Sequence, residues 1–223
     1  MRTALIFAVC TTITSQAAIW QFDLGPTIGV FGLNGANERP TPTASPATGA
    51  EIKDHDSNHF INYDTETQRL ELHFGWGSDA SLDYGGPTGT DLTANLSGIH
   101  IHGPAFANES TGVLYNLLTL AAASPPTGEG YFNPSGNGRS GAIDLTVQLV
   151  EGVGGFSVQE QQQQLRNGQW YINIHSEGQY AAGEIRGQLL YVIPEPEHYA
   201  AFAGIALLGF AGFRRYKMAN AGA

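Results

Sequence analysis

The chain has a single cysteine, Cys10, so no internal disulfide can form and no thiolate-rich metal centre can be built. Charge is also scarce, at 13% of residues, and it is lopsided: 10 basic side chains against 20 acidic ones. A net charge of −10 repels phosphate backbones, which argues against a nucleic-acid partner. No Gly-rich loop follows a strand and opens a helix, so a nucleotide fingerprint is missing. Nor does any motif join a Ser/His/Asp triad or a pair of catalytic carboxylates. A calcium loop is started at Asp54, Asp56 and Asn58, but His59 stands where the turn needs Gly and Thr65 where a bidentate Glu is needed.

What the chain does have is glycine (29 residues), an apolar fraction of 42% and many β-branched and aromatic residues. That mixture points to a turn-rich all-β protein with one core, held by packing alone. Alternation marks several strands. Ile28 and Val30 suggest one over Thr27–Asn34. Leu70, Leu72 and Phe74 alternate with Arg69, Glu71 and His73, and pair with Phe60–Tyr63 as a hairpin across Asp64–Thr67. Val113–Leu120, Ala142–Val150, Trp170–His175 and Glu184–Val192 read the same way. Val158–Asn167 is helical, with Gly168 as its stop. Residues 121–141 form a long Gly/Pro/Ser/Asn-rich excursion. This number and spacing of strands predicts an antiparallel Greek-key β-sandwich or barrel, of superoxide dismutase-like or Ig-like type.

Two stretches carry chemistry. In Gly98-Ile99-His100-Ile101-His102-Gly103-Pro104, strand alternation sends Ile99 and Ile101 to one face and His100 and His102 to the other. In Trp170–His175, Tyr171, Asn173 and His175 share the face opposite Trp170, Ile172 and Ile174. Three imidazoles off the apolar face suit copper or zinc, with His73 as a possible fourth. The alternative is that these rings hydrogen-bond neighbouring strands. Glu184 and Arg186 share a face of the last strand and form a candidate pair that orients a ring nitrogen or fixes the closing strands.

The two ends read as addresses. Residues 1–18 show Arg2, an apolar run from Ala4 to Cys10 and small residues before Ala17 and Ala18, a signal peptide for signal peptidase. At the other end, Pro194-Glu195-Pro196 precedes fifteen uncharged residues, Tyr199–Phe213, and then Arg214-Arg215-Tyr216-Lys217. Fifteen is short of the ~20 residues that cross a bilayer comfortably, and the basic cluster would stay cytoplasmic. This arrangement over 194–217 resembles the PEP-CTERM sorting signal of Gram-negative bacteria, with 218–223 as a tail. The resemblance implies a transmembrane helix held transiently in the inner membrane, an exosortase-type processing enzyme and delivery to the cell surface or extracellular matrix. Exopolysaccharide or surface proteins follow as partners by the same analogy.

The domain between, 19–193, resembles the CHRD (chordin) domain family. The match rests on Leu33-Asn34-Gly35-Ala36-Asn37-Glu38, His100-Ile101-His102-Gly103-Pro104-Ala105, Gly168–His175 and Gly183-Glu184-Ile185-Arg186-Gly187-Gln188-Leu189, in the family's order. It implies an extracellular β-domain. The H-x-H strand with a later histidine is also similar, over few residues, to Cu/Zn superoxide dismutase, without a counterpart of its zinc loop or bridging histidine. Together these readings lead to an exported, non-enzymatic binding or structural module. The alternative is a copper- or zinc-binding protein, conceivably redox-active, using His100, His102 and His175.

Overall fold

The computed structural model describes residues 18–25, 31–52, 59–78, 89–123, 130–132, 136–192, 207–211 and 213–214. Their alternation resolves into strands β1 (Ile19–Gly25), β2 (Phe60–Asp64), β3 (Arg69–Trp76), β4 (Leu96–His102), β5 (Val113–Asn116), β6 (Gly130–Phe132), β7 (Gly141–Gln148), β8 (Tyr171–Ser176) and β9 (Ile185–Tyr191). Helices α1 (Leu117–Ala123) and α2 (Val158–Arg166) complete the set. All strand pairs are antiparallel, in the order β5-β4-β8-β9-β1-β2-β3-β7-β6. The fold is therefore all-β, of the sandwich and barrel class.

Strand β1 is the hinge of this arrangement. Its first half, Ile19–Gln21, pairs with β2, and its second half, Phe22–Gly25, pairs with β9. One wing of the sheet (β2, β3, β7, β6) and the other (β9, β8, β4, β5) thus meet at a single strand. Leu72, Phe74, Ile143 and Leu145 from the first wing share one core cluster with Ile99, Ile101, Ile172, Ile174 and Ile185 from the second. The alternation in Arg69–Phe74 is reproduced in burial: Leu70, Leu72 and Phe74 are at most 1% exposed, while Arg69 and Glu71 face solvent.

The helix α2 has the ends its sequence calls for. Ser157 caps its first turn in a reciprocal capping box with Glu160, and Gly168 takes a left-handed φ of 67° just past the Asn167 cap. Gln164 and Leu165 face inward, and Gln164 accepts the indole N–H of Trp170 at 3.0 Å.

Two predicted elements differ. The strand expected over Val113–Leu120 stops at Asn116, whose side chain accepts the N–H of Thr119 at 3.0 Å and starts α1 in its place. The first strand was expected at Thr27–Asn34. Residues 26–30 lie outside the described residues, and 31–34 form bends and an isolated bridge, whereas the strand that opens the sheet is Ile19–Gly25. Its own alternation, Trp20, Phe22 and Leu24, directly follows the small-residue stretch Ala17-Ala18 and is too short to stand out from it.

The chain divides into two units, Met1–Tyr191 and Val192–Ala223. In the second, the described residues 207–211 and 213–214 are helical, with Leu207, Leu208, Phe210 and Phe213 exposed. Among the described residues no helix is long and apolar enough to cross a membrane. Ala17, Pro194, Glu195, Pro196 and Arg215 lie outside the described residues, as does the incipient calcium loop at 53–58.

Candidate metal centre

Strands β4 and β8 pair in a register that sets His100 opposite Asn173, His102 opposite Tyr171 and Gly98 opposite His175. Ile99 and Ile101 are fully buried in the core, as are Ile172 and Ile174, so the imidazoles stand on the far face as alternation requires. Gly98 is the reason His100 can lean towards His175. A Cβ there would stand 2.9 Å from Cε1 of the His100 ring, so the ring occupies the space a side chain at 98 would fill.

The result is a tight cluster. His100 Nδ1 lies 3.1 Å from His175 Nε2, and one ring nitrogen from each of His100, His102 and His175 falls within 4.8 Å of the others. His102 Nδ1 is 2.8 Å from the carbonyl of Thr111, and His175 Nδ1 is 3.1 Å from that of Ala181. A carbonyl can only accept, so both rings carry their proton on Nδ1 and leave Nε2 as a lone pair. His102 Nε2 is buried without a hydrogen-bond partner. His102 and His175 are 7% and 8% exposed, and His100 is half-buried.

Burial also keeps the cluster neutral. It holds all three rings below the ordinary histidine range, His100 down to about 4, with His175 and His102 adding repulsion at His100. Neutral imidazoles with fixed tautomers are the form that binds a metal.

The layer beside these imidazoles is polar and buried. The ring of His102 stacks on Tyr171 at 4.9 Å, and the guanidinium of Arg186 lies 3.5 Å over the Tyr171 ring. Arg186 donates to the carbonyls of Glu109 and Phe106 and to Gln188, pinning the loop that carries Thr111. Glu38, 4% exposed, accepts from the Asn173 amide at 3.3 Å. Burial pushes its carboxyl up to about 7, against the opposing pull of Arg186.

Glu184 and Arg186, expected to pair either to orient a ring nitrogen or to fix the closing strands, take separate partners. Glu184 precedes β9, is fully buried and accepts from the Ser45 hydroxyl at 2.6 Å and the Thr93 N–H at 2.9 Å. It fastens two loops, while backbone carbonyls orient the imidazoles. His73 also stands apart. It lies on β3, in the other wing, 3.3 Å from Asp144 and stacked on Phe60. The carbonyls of Thr111 and Ala181 left no trace in the sequence, since any residue supplies one. Glu38 did leave a signal, an acid embedded in the Gly/Ala/Asn segment Asn34–Glu38, but its partner Asn173 is 135 residues away.

An antiparallel β-domain in which two neighbouring strands, β4 and β8, gather three neutral imidazoles beside a buried polar layer is the class of protein that fold and site define. The CHRD domain family model matches residues 30–189, and the chain belongs to that family. Comparison with curated proteins and with solved structures gives no match.

Proposed function

We propose that this CHRD protein is an exported module that binds one copper or zinc ion through His100, His102 and His175. The single observation that carries the reading is the orphaned Nε2 of His102, buried and held in its lone-pair tautomer beside two more imidazole nitrogens. A structural role for the rings would pair that nitrogen with a donor, because an unsatisfied buried polar atom costs about 1–3 kcal/mol. A metal ion satisfies it and ties β4 to β8. Three protein ligands leave a further coordination position for water or a ligand, on the half-exposed side of His100.

Export and sorting belong to the same proposal. The leader ending at Ala17 or Ala18 and the Pro194-Glu195-Pro196 signal support delivery to the cell surface or matrix by signal peptidase and an exosortase-type enzyme.

The test is elemental analysis of the purified full chain after dialysis against copper or zinc. We expect one ion per chain, a rise in Tm on loading and loss of the ion in His100→Ala and His102→Ala. Substoichiometric metal in the parent chain, or retention in both variants, would overturn the proposal.

A further inference from the structure

The loop that carries Ala181 also forms one wall of a cavity of about 420 Å³, whose other wall is the segment Glu38–Ala44. That volume lies in the range of small-ligand sites. Both walls are tied down before any ligand arrives. On one side Thr43 donates its hydroxyl to the Glu184 carbonyl and its N–H to the Gly35 carbonyl, both at 2.9 Å. On the other, the Gly183 N–H donates to the Tyr180 carbonyl at 3.0 Å, and the Ala181 carbonyl holds His175.

The chemistry of the lining narrows the occupant. Arg39 turns its guanidinium onto the Ala36 and Glu38 carbonyls, and the Glu38 carboxyl is buried in the field of Arg186. Arg39 keeps its positive charge and its remaining N–H donors, so it repels a cation here and can donate to a ligand's hydroxyls. The chain as a whole is strongly acidic and repels an anion. Pro40 and Pro42 have no N–H, so this wall cannot pair with an incoming peptide strand as a sheet edge would. What remains is the apolar surface of the prolines and Ala182, the half-buried ring of Tyr180, and the amide and hydroxyl of Gln179 and Thr41. A pyranose matches that pattern: its C–H faces lie on prolines and an aromatic ring, and its hydroxyls both donate and accept at a polar rim.

We propose that this groove binds a neutral, hydroxyl-rich ligand, a saccharide unit. The site is separate from the three imidazoles and does not depend on the metal reading.

The experiment is an NMR titration of the ¹⁵N-labelled full chain with neutral oligosaccharides of glucose, galactose, mannose and N-acetylglucosamine. A proline-rich peptide, an oligouronate and a chitosan oligomer are run beside them. At least one neutral sugar should shift the amides of Thr41, Thr43, Ala44 and Gln179–Gly183 saturably, with a Kd of about 1 mM or tighter. Tyr180→Ala should weaken that binding about tenfold, as loss of a stacking ring does. His100→Ala should leave it unchanged, which separates this site from the metal centre. No shift of those amides with any neutral sugar, binding only of the peptide or a charged oligomer, or undiminished binding by Tyr180→Ala would overturn the assignment.

Discussion

Glu38 is a carboxyl placed where its charge is costly. Its ordinary pKa near 4.5 is pushed to about 7 by burial, only partly offset by Arg186. The sign of the consequence follows from linkage. Between those two values the folded chain holds a proton that the unfolded chain has released, so stability falls as pH rises from about 4.5 to 7. Above 7 the penalty is complete, at most about 3 kcal/mol. The imidazoles work in the opposite direction. Their lowered pKa values make the fold lose stability as pH drops from 6.5 towards 4, the value His100 approaches. Glu38→Gln isolates the carboxyl, because the histidine contribution is common to parent and variant. In urea unfolding at pH 5 and pH 8, the variant should gain on its parent by roughly 1–3 kcal/mol across that interval. A constant difference at the two pH values would refute the burial account.

Strand β4 shows how an element carries a site. Its period-two pattern, isoleucines in and histidines out, is visible from residues 98–102 alone. Which strand it faces, and in which register, is set by pairing with β8 some 70 residues later, and this brings His175 opposite Gly98. Gly98→Ala therefore tests the element as a positioning device. An added Cβ would press on the His100 ring, a movable side chain, so the ring should swing away with little cost to folding. The expected result is a 10- to 100-fold loss of copper or zinc affinity by competition titration, with Tm of the metal-free chain within a few degrees of the parent. Unchanged affinity would show that the lean of His100 is immaterial. The same scale explains the two elements the sequence misled on. Val113–Leu120 carries strand-forming residues on either side of Asn116, but the cap at Asn116 turns its second half into α1. The alternation of β1 is present but short, and it follows directly on the stretch read as a leader.

For the whole molecule, the proposed destination rests on the two ends and the chemistry on the folded unit between them. Replacing Pro194-Glu195-Pro196 by alanines in the producing cell should leave full-length protein in the membrane fraction, detected by immunoblot of fractionated cells. Release at the parent's rate would reject the sorting signal.

Local rules were enough to determine the class of fold, the helix with its capping box and glycine stop, and the face on which His100, His102 and His175 lie. Each of these depends on neighbours within a few positions, where periodicity and capping act. Long-range packing alone decided the rest. It brought β4 against β8, set His73 on the opposite wing, turned Glu184 towards Ser45 and Thr93, and supplied the carbonyls of Thr111 and Ala181 that fix the imidazole tautomers. Backbone carbonyls are chemically alike at every position, so their place in a site is written in the tertiary structure and not in residue type.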